Sequence, residues 1–200
     1  MIIRFLAVIA GLVAILAPLA SLIIASKQTK GRESGSGSFL RRVPGSIAVT
    51  VWLVLIGLMF WIPLPVRFPG AADAILLGMG SILYFPAIAL YLWGLAALGK
   101  QFGVSTAAGA DLYLDHQLVR KGPYRWIRHP MYLAVLLAAA GALLIFRTWA
   151  MLVFTPLSLV VIRRAASEEA LLAEEFPEEW GSYIQEVPPW LPRCYKKGSS

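Results

Sequence analysis

The chain has 200 residues, 58% of them hydrophobic and 14% charged, with a mean hydropathy of +0.71 and a net charge of +7. A soluble domain is nearer a quarter charged, so that class is excluded; apolar runs of ~20 residues, the length that crosses ~30 Å of hydrocarbon, recur instead. No soluble basic module exists to present the positive balance to nucleic acid, and anionic headgroups and membrane orientation account for it.

Residues 2–25 form an apolar run broken only by Arg4, Pro18 and Ser21. A secretory signal peptide competes with a retained helix here. The single positive residue and a length beyond the ~7–15 residues of a signal core favour the retained helix. Residues 26–44 are polar and basic, with a Gly-Ser alternation from Ser34 to Ser38 that reads as a floppy linker. Gly45 to Leu64 is a second span, closed by Phe60-Trp61-Ile62 as an interfacial aromatic anchor and by Pro63 and Pro65 as a stop. Ala74 to Leu98 is a third, with Pro86 as a candidate kink. Gly78-Met79-Gly80 has no strand before it, so close helix packing is the better reading than nucleotide binding.

Lys100 to Pro130 is a long polar connection. Met131 to Phe146 and Trp149 to Ile162 are short apolar runs separated by Arg147-Thr148, and read as a tight helical hairpin, with a partly re-entrant one as the alternative. A polar helix follows from Arg163 to about Glu175, and Pro177, Pro188, Pro189 and Pro192 are expected to break regularity beyond it. The lone Cys194 excludes an intramolecular disulfide, and its position is not that of a prenylation box.

The expected fold is all-α: a polytopic integral membrane protein with about five transmembrane helices, including the C-terminal hairpin, plus a cytosolic C-terminal helix. Residues 1–99 hold the first three spans and the basic loop at 26–44; residues 100–193 form the catalytic region; residues 194–200 are a disordered tail. Five alternating spans put fifteen of the 18 Lys and Arg residues on one side, leaving Arg4, Arg67 and Arg147 on the other. The positive-inside rule makes the rich side cytosolic, in a cell inner membrane. His116–Tyr132 and Arg164–Glu169 then share the cytosolic interface.

In the first of these stretches, Arg120, Lys121, Arg125 and Arg128 with His116 and His129 form a cationic collar. Gly122-Pro123 makes a turn, and His129-Pro130 fixes an extended lead into the next helix. Two readings stay open on composition: a lipid-headgroup anchor, or a cradle for a carboxylate, a phosphate or an adenine edge. In the second stretch, Arg164 and Glu168 are i,i+4 neighbours, and Glu169 points with Leu172 and Phe176 toward the apolar side. Carboxylates this close to a membrane helix end are costly unless paired or functional. Glu174, Glu175, Glu178 and Glu179 read as an ordinary solvated face. There is no HExxH, Walker loop or Gly-x-Ser-x-Gly, and no metal is expected from two histidines without clustered ligands.

The pattern His116-x-Leu118-Val119-x-x-Gly122-Pro123-Tyr124-x-x-x-Arg128-His129-Pro130-x-Tyr132, followed by Arg164-x-x-x-Glu168-Glu169-x-x-Leu172 and Phe176, resembles the isoprenylcysteine carboxyl methyltransferase family, to which phospholipid N-methyltransferases are related. The resemblance covers Lys100 to Arg193. It implies an integral membrane methyltransferase that uses S-adenosylmethionine and a lipophilic small-molecule or lipid acceptor. Carried over, His116, Leu118, Val119, Gly122, Tyr124, Arg128, His129, Pro130 and Tyr132 would line the cofactor pocket with Glu169 adjacent. Arg164 and Glu168 would be catalytic, where cofactor meets acceptor. The chain departs from the family pattern at Ala134 (usually Gly), at Pro177 and Trp180 (usually Gly and Tyr), and at Pro189 (usually Arg). An isoprenylcysteine-like carboxylate, a phospholipid amine and a non-enzymatic lipid-binding role are the three functional expectations.

Overall fold

The computed structural model describes residues 2–28, 52, 55–99 and 118–192. His116, most of the Gly-Ser loop, the start of the second span and the tail at 194–200 lie outside the described residues. Six α-helices are named here: α1 (Ile2–Gln28), α2 (Gly70–Leu98), α3 (Pro130–Phe146), α4 (Trp149–Leu157), α5 (Val160–Glu175) and α6 (Pro177–Glu186). A 3-10 turn at Gly122–Arg125 precedes α3. The described residues contain no strand, only an isolated antiparallel bridge between Pro63 and Thr148.

The α2–α3 pair is the spine. Small residues let the two backbones approach closely: a Cβ on Gly141 would lie 2.7 Å from Tyr84 N and 2.8 Å from Gly80 O. Gly80 is thus a packing residue, as expected from the sequence, whereas Gly78, expected to pack with it, has nothing within 4 Å of where a Cβ would lie. Helix α1 lies across this pair, with Ala7, Tyr84, Ala142 and Ile145 forming a buried cluster. The Tyr84 hydroxyl donates to the Ala7 carbonyl at 3.0 Å, which satisfies a polar group inside an apolar contact.

Most of the large apolar side chains elsewhere face outward. Ile75, Met79, Ile82, Leu152, Val153 and Leu157 are all exposed. Two segments among the described residues, Gly70–Leu98 and Trp149–Glu174, are long and apolar enough to cross a membrane, and only 17% of each one's most apolar window is buried inside the protein. The core helix of a soluble protein would be mostly buried. An apolar surface of this extent needs a lipid solvent, so this is an integral membrane protein.

The hairpin turns where the sequence changes. Arg147 adopts the left-handed conformation (φ 50°) and ends α3, while Thr148 caps α4 by accepting from Met151 N at 3.3 Å. The end of the second span is caught on this turn. Leu64 N donates to Arg147 O, Trp149 N to Ile62 O and Ala150 N to Phe60 O. The Trp61 ring meets Phe146 edge-on at 5.0 Å.

Three expectations are refined. The third span begins at Gly70 rather than Ala74, with Asp73 in its first turn; it runs unbroken through Pro86, which is exposed. The run Trp149–Ile162 divides at Ser158-Leu159, because Pro156 cannot donate a backbone bond and Ser158 Oγ bonds Thr155 O at 2.6 Å. Pro177 does not end regular structure. It occupies the first position of α6, where its missing N–H costs nothing, and Glu178 and Glu179 suit the helix's positive end.

Candidate functional site

The site lies at the end of the bundle where α2 finishes and α3 begins. From Asp73 this is the far end of a 29-residue helix, about 43 Å in length at 1.5 Å per residue. Gly122 has φ 60°, and a Cβ there would meet Ala97 at 2.9 Å and Trp93 at 3.3 Å. Glycine is therefore required both for the backbone turn and for its approach to α2. Pro123 is fully buried, and the following turn delivers Arg128, His129 and Pro130 to the start of α3.

The C-terminal segment holds this stretch in place by its backbone. Arg128 N donates to Pro188 O at 2.9 Å and His129 N donates to Pro189 O at 3.1 Å. A proline has no N–H but keeps its carbonyl, so consecutive prolines make an acceptor strap. Its other contacts are aromatic. The His129 ring lies between Tyr132 (5.7 Å between centroids) and Trp190 (5.4 Å). Arg128 lies over Trp180, 5.6 Å from the ring centroid, and Arg120 lies over Tyr183 at 5.3 Å. Arg120 also donates to the Glu179 carbonyl and, at 3.0 Å, to Ser182 Oγ.

Glu169 is the ionic centre. Its Oε1 is 2.6 Å from His129 Nε2 and 3.4 Å from Arg128 Nη1. His129 is 6% exposed and the Arg128 side chain 12%, so the carboxylate serves two nearly buried partners. The expectation that Glu169 faces inward with Leu172 and Phe176 thus acquires a cause. Those two residues, with Leu118, pack on Trp180, Tyr183 and Val187, which brings α6 under α5 and turns Glu169 to the motif. Among the described residues, Arg128 Nε is buried without a hydrogen-bond partner. An unmet buried donor costs ~1–3 kcal/mol, which a ligand acceptor would recover.

Arg164 and Glu168 form no direct ion pair, although their spacing permits one. Arg164 Nε donates instead to the Tyr132 hydroxyl at 3.2 Å. Glu168 is close enough to Tyr124 for its charge to act there: burial first, and that carboxylate second, hold the Tyr124 phenol well above its ordinary range. Tyr183 is pushed up to about 12, chiefly by burial and against the pull of Arg128 and Arg120. Its hydroxyl donates to the Tyr124 carbonyl at 2.6 Å. Both phenols are neutral at physiological pH.

Of the residues singled out from the sequence, Arg128, His129 and Glu169 form one contact group, and Tyr132 with Arg164 forms a hydrogen-bonded pair joined to it through the His129–Tyr132 ring contact. Gly122 and Pro130 shape the backbone between them. Leu118 and Val119 are half-buried, Leu118 against Trp180 and Tyr183. His116 lies outside the described residues. Sequence reasoning missed Trp180, Tyr183, Trp190 and the Pro188–Pro189 carbonyls. The first two were signalled by the series Leu172, Phe176, Trp180, Tyr183 and Val187, spaced at helical intervals across Pro177. Among the described residues no group of three or more His, Cys, Asp or Glu side chains could hold a metal ion.

The donor set suits a ligand with mixed character. Arginines can take a carboxylate, carboxylates can take an ammonium or other cation, and aromatic and aliphatic walls can take a flat base. Residues 80–174 match the model of the Isoprenylcysteine carboxyl methyltransferase family. No curated protein matches the chain.

Proposed function

We propose that this chain, whose residues 80–174 belong to the isoprenylcysteine carboxyl methyltransferase family, is an S-adenosylmethionine-dependent methyltransferase acting on a lipophilic acceptor at the cytosolic membrane interface. The family is a methyltransferase family, and the protein is an integral membrane protein by its apolar, outward-facing helices. The observation that carries the reading is the convergence, at one end of the bundle, of the Arg128–His129–Glu169 group with Tyr132, Arg164 and Glu168. Five spans, with the fifteen-residue basic side in the cytosol, remain the topology that best accounts for the charge distribution.

S-adenosylmethionine, when bound, supplies an electrophilic methyl group on a positively charged sulfur. The residues that would hold it are Arg128, whose buried Nε lacks an acceptor among the described residues, Glu169, His129, Leu118, Val119, Gly122, Tyr124, Pro130 and Tyr132. Arg128 neutralises a carboxylate, and Glu169 fixes both Arg128 and His129 so that neither is free to turn. The Trp180 and Trp190 rings and the proline strap wall off the His129 side from water. Excluding water strengthens each of these electrostatic contacts.

Displacement at a methyl carbon depends chiefly on holding two reactants in line. Arg164 and Glu168 are the residues assigned to that junction. The Arg164–Tyr132 bond uses Nε and not the two terminal nitrogens, so the fork retains the atoms that grip a carboxylate. A carboxylate acceptor needs no general base, whereas an amine acceptor would need one. A lipophilic carboxylate, such as a prenylcysteine-like acid, is therefore favoured over a phospholipid amine. Purified protein in nanodiscs, given methyl-labelled cofactor, should label a farnesylcysteine analogue and leave phosphatidylethanolamine unlabelled. The reverse pattern would transfer the assignment to the phospholipid reaction, and labelling of neither would count against both.

A further inference from the structure

The C-terminal segment closes on the motif with side chains as well as with the proline strap, and the contact of Trp180 with Arg128 carries a role of its own. Trp180 stands in the first turn of α6. Its indole is 6% exposed and belongs to the buried cluster of Trp180, Tyr183 and Val187, on which Leu118, Leu172 and Phe176 pack. Apolar contacts therefore place the ring without any help from Arg128. The Arg128 guanidinium lies over it, 5.6 Å from the ring centroid, inside the ~6 Å over which a cation is drawn to an aromatic face.

Arg128 is held from three elements. The Pro188 carbonyl takes its backbone N–H at 2.9 Å, Glu169 Oε1 lies 3.4 Å from Nη1, and Trp180 meets the face of the guanidinium. A carboxylate occupies an N–H, whereas a ring face attracts the cation as a whole and occupies none. Trp180 thus confines the guanidinium while leaving its donors in place. Nε, buried and without a partner among the described residues, is the donor left over. The neighbouring pair behaves differently: Arg120 lies 5.3 Å from the Tyr183 centroid, but it donates to the Glu179 carbonyl and to Ser182 Oγ, so its donors turn back onto α6. We propose that Trp180 is a positioning residue that holds Arg128 by its face, so that Nε stays presented to the carboxylate of a bound ligand. Taking that carboxylate as the amino-acid end of S-adenosylmethionine rests on the methyltransferase reading; the contact itself does not.

Two ligands separate positioning from mere packing. S-adenosylhomocysteine carries the amino-acid carboxylate, and methylthioadenosine shares its nucleoside and sulfur but lacks that end. In nanodiscs, Trp180→Leu should weaken S-adenosylhomocysteine roughly 5- to 30-fold and change methylthioadenosine by no more than about twofold, less than the weakest cation–π contact is worth. Trp180→Phe keeps an aromatic face and should recover most of the loss. It also decides by the same selectivity if the leucine variant does not fold. In an Arg128→Gln background, Trp180→Leu should add little, because the tryptophan acts through the arginine. Equal losses for both ligands, no loss for either, or fully additive losses would overturn the proposal and leave Trp180 as a packing residue.

A readout that needs no ligand is the Nε–H signal of Arg128 in protein labelled with nitrogen-15 arginine, assigned by its absence in Arg128→Gln. A ring beneath the guanidinium displaces that signal through its ring current. Trp180→Leu should move it toward the position of a free arginine, and Trp180→Phe should move it less. An unmoved signal in the leucine variant would refute the contact. Wild-type protein that bound neither ligand would sink the methyltransferase reading, while the Arg128 signal would still decide whether Trp180 holds the side chain.

Discussion

The two ends of the helix bundle use charge in opposite ways. At the end away from the motif, Asp73 bonds Arg147 and lies 3.9 Å from Arg4, while Arg4 also donates to the Ile145 carbonyl at 3.2 Å. The Arg147 guanidinium lies 5.7 Å from the Phe68 ring centroid, and its backbone is held by residue Leu64. These charges are engaged with one another, and together they fasten α1, α2 and the hairpin turn. At the motif end the charges are also paired, yet among the described residues Arg128 Nε is buried without a partner, and Arg164 bonds a tyrosine rather than Glu168. A structural clasp closes its own bonds; a ligand site leaves selected ones to be completed.

That contrast can be broken from either end. The largest effect belongs to the motif end: Arg164→Ala and Glu168→Ala should each lower methyl transfer by roughly 10²–10³-fold while the protein still inserts and folds. Turnover like that of the wild type in both would remove them from the site. Next comes the spine between the ends. Gly141→Val puts side-chain carbons against the backbone of Tyr84 and Gly80, and should cost on the order of 1–3 kcal/mol as overpacking, read as a lower midpoint in detergent unfolding. An unshifted midpoint would mean that α2 and α3 do not approach as closely as described.

Smaller still is the clasp. Asp73→Asn removes a carboxylate that is 42% exposed, so a slight fall in thermal stability with unchanged kcat is expected; a large loss of activity would mean that the clasp end acts on the chemistry. Glu178→Ala and Glu179→Ala should change nothing measurable. Both side chains are exposed, and Arg120 uses the Glu179 carbonyl rather than its carboxylate. Loss of turnover in either would place α6's acidic face in the site.

The division between the two ends was readable in the chain. Arg4, Asp73 and Arg147 fall at the boundaries of apolar runs, and alternating the spans puts Arg4 and Arg147 on the side opposite the motif. The hairpin turn at Arg147-Thr148 was legible for the same reason, since two polar residues interrupt an otherwise apolar stretch. The motif and the pair Arg164–Glu168 could be singled out, because charged residues beside membrane helices demand partners. What could not be read was which partner each charge takes. The i,i+4 spacing of Arg164 and Glu168 predicts a pair; only the packing of α3 against α5 gives Arg164 the Tyr132 hydroxyl as its partner instead.

Helix α6 is not evident from the sequence because a proline reads as a break, although the same residue followed by two glutamates is a good helix start. With α6 went Trp180 and Tyr183, and with the strap beyond it went Trp190 and the carbonyls that hold the motif's backbone. Backbone-to-backbone bonds such as those to Pro188 and Pro189 leave no side-chain signature. They are invisible in a sequence, however specific its motif.

The central claim is that the motif end binds a cofactor through the group organised by Glu169. Calorimetric titration of S-adenosylhomocysteine into nanodisc-embedded protein tests it most directly, with Glu169→Ala alongside. The account predicts measurable saturable binding by the wild-type protein and a loss of roughly tenfold or more in the variant, since both Arg128 and His129 lose their shared partner. No binding by folded wild-type protein, or equal binding by both, would contradict it.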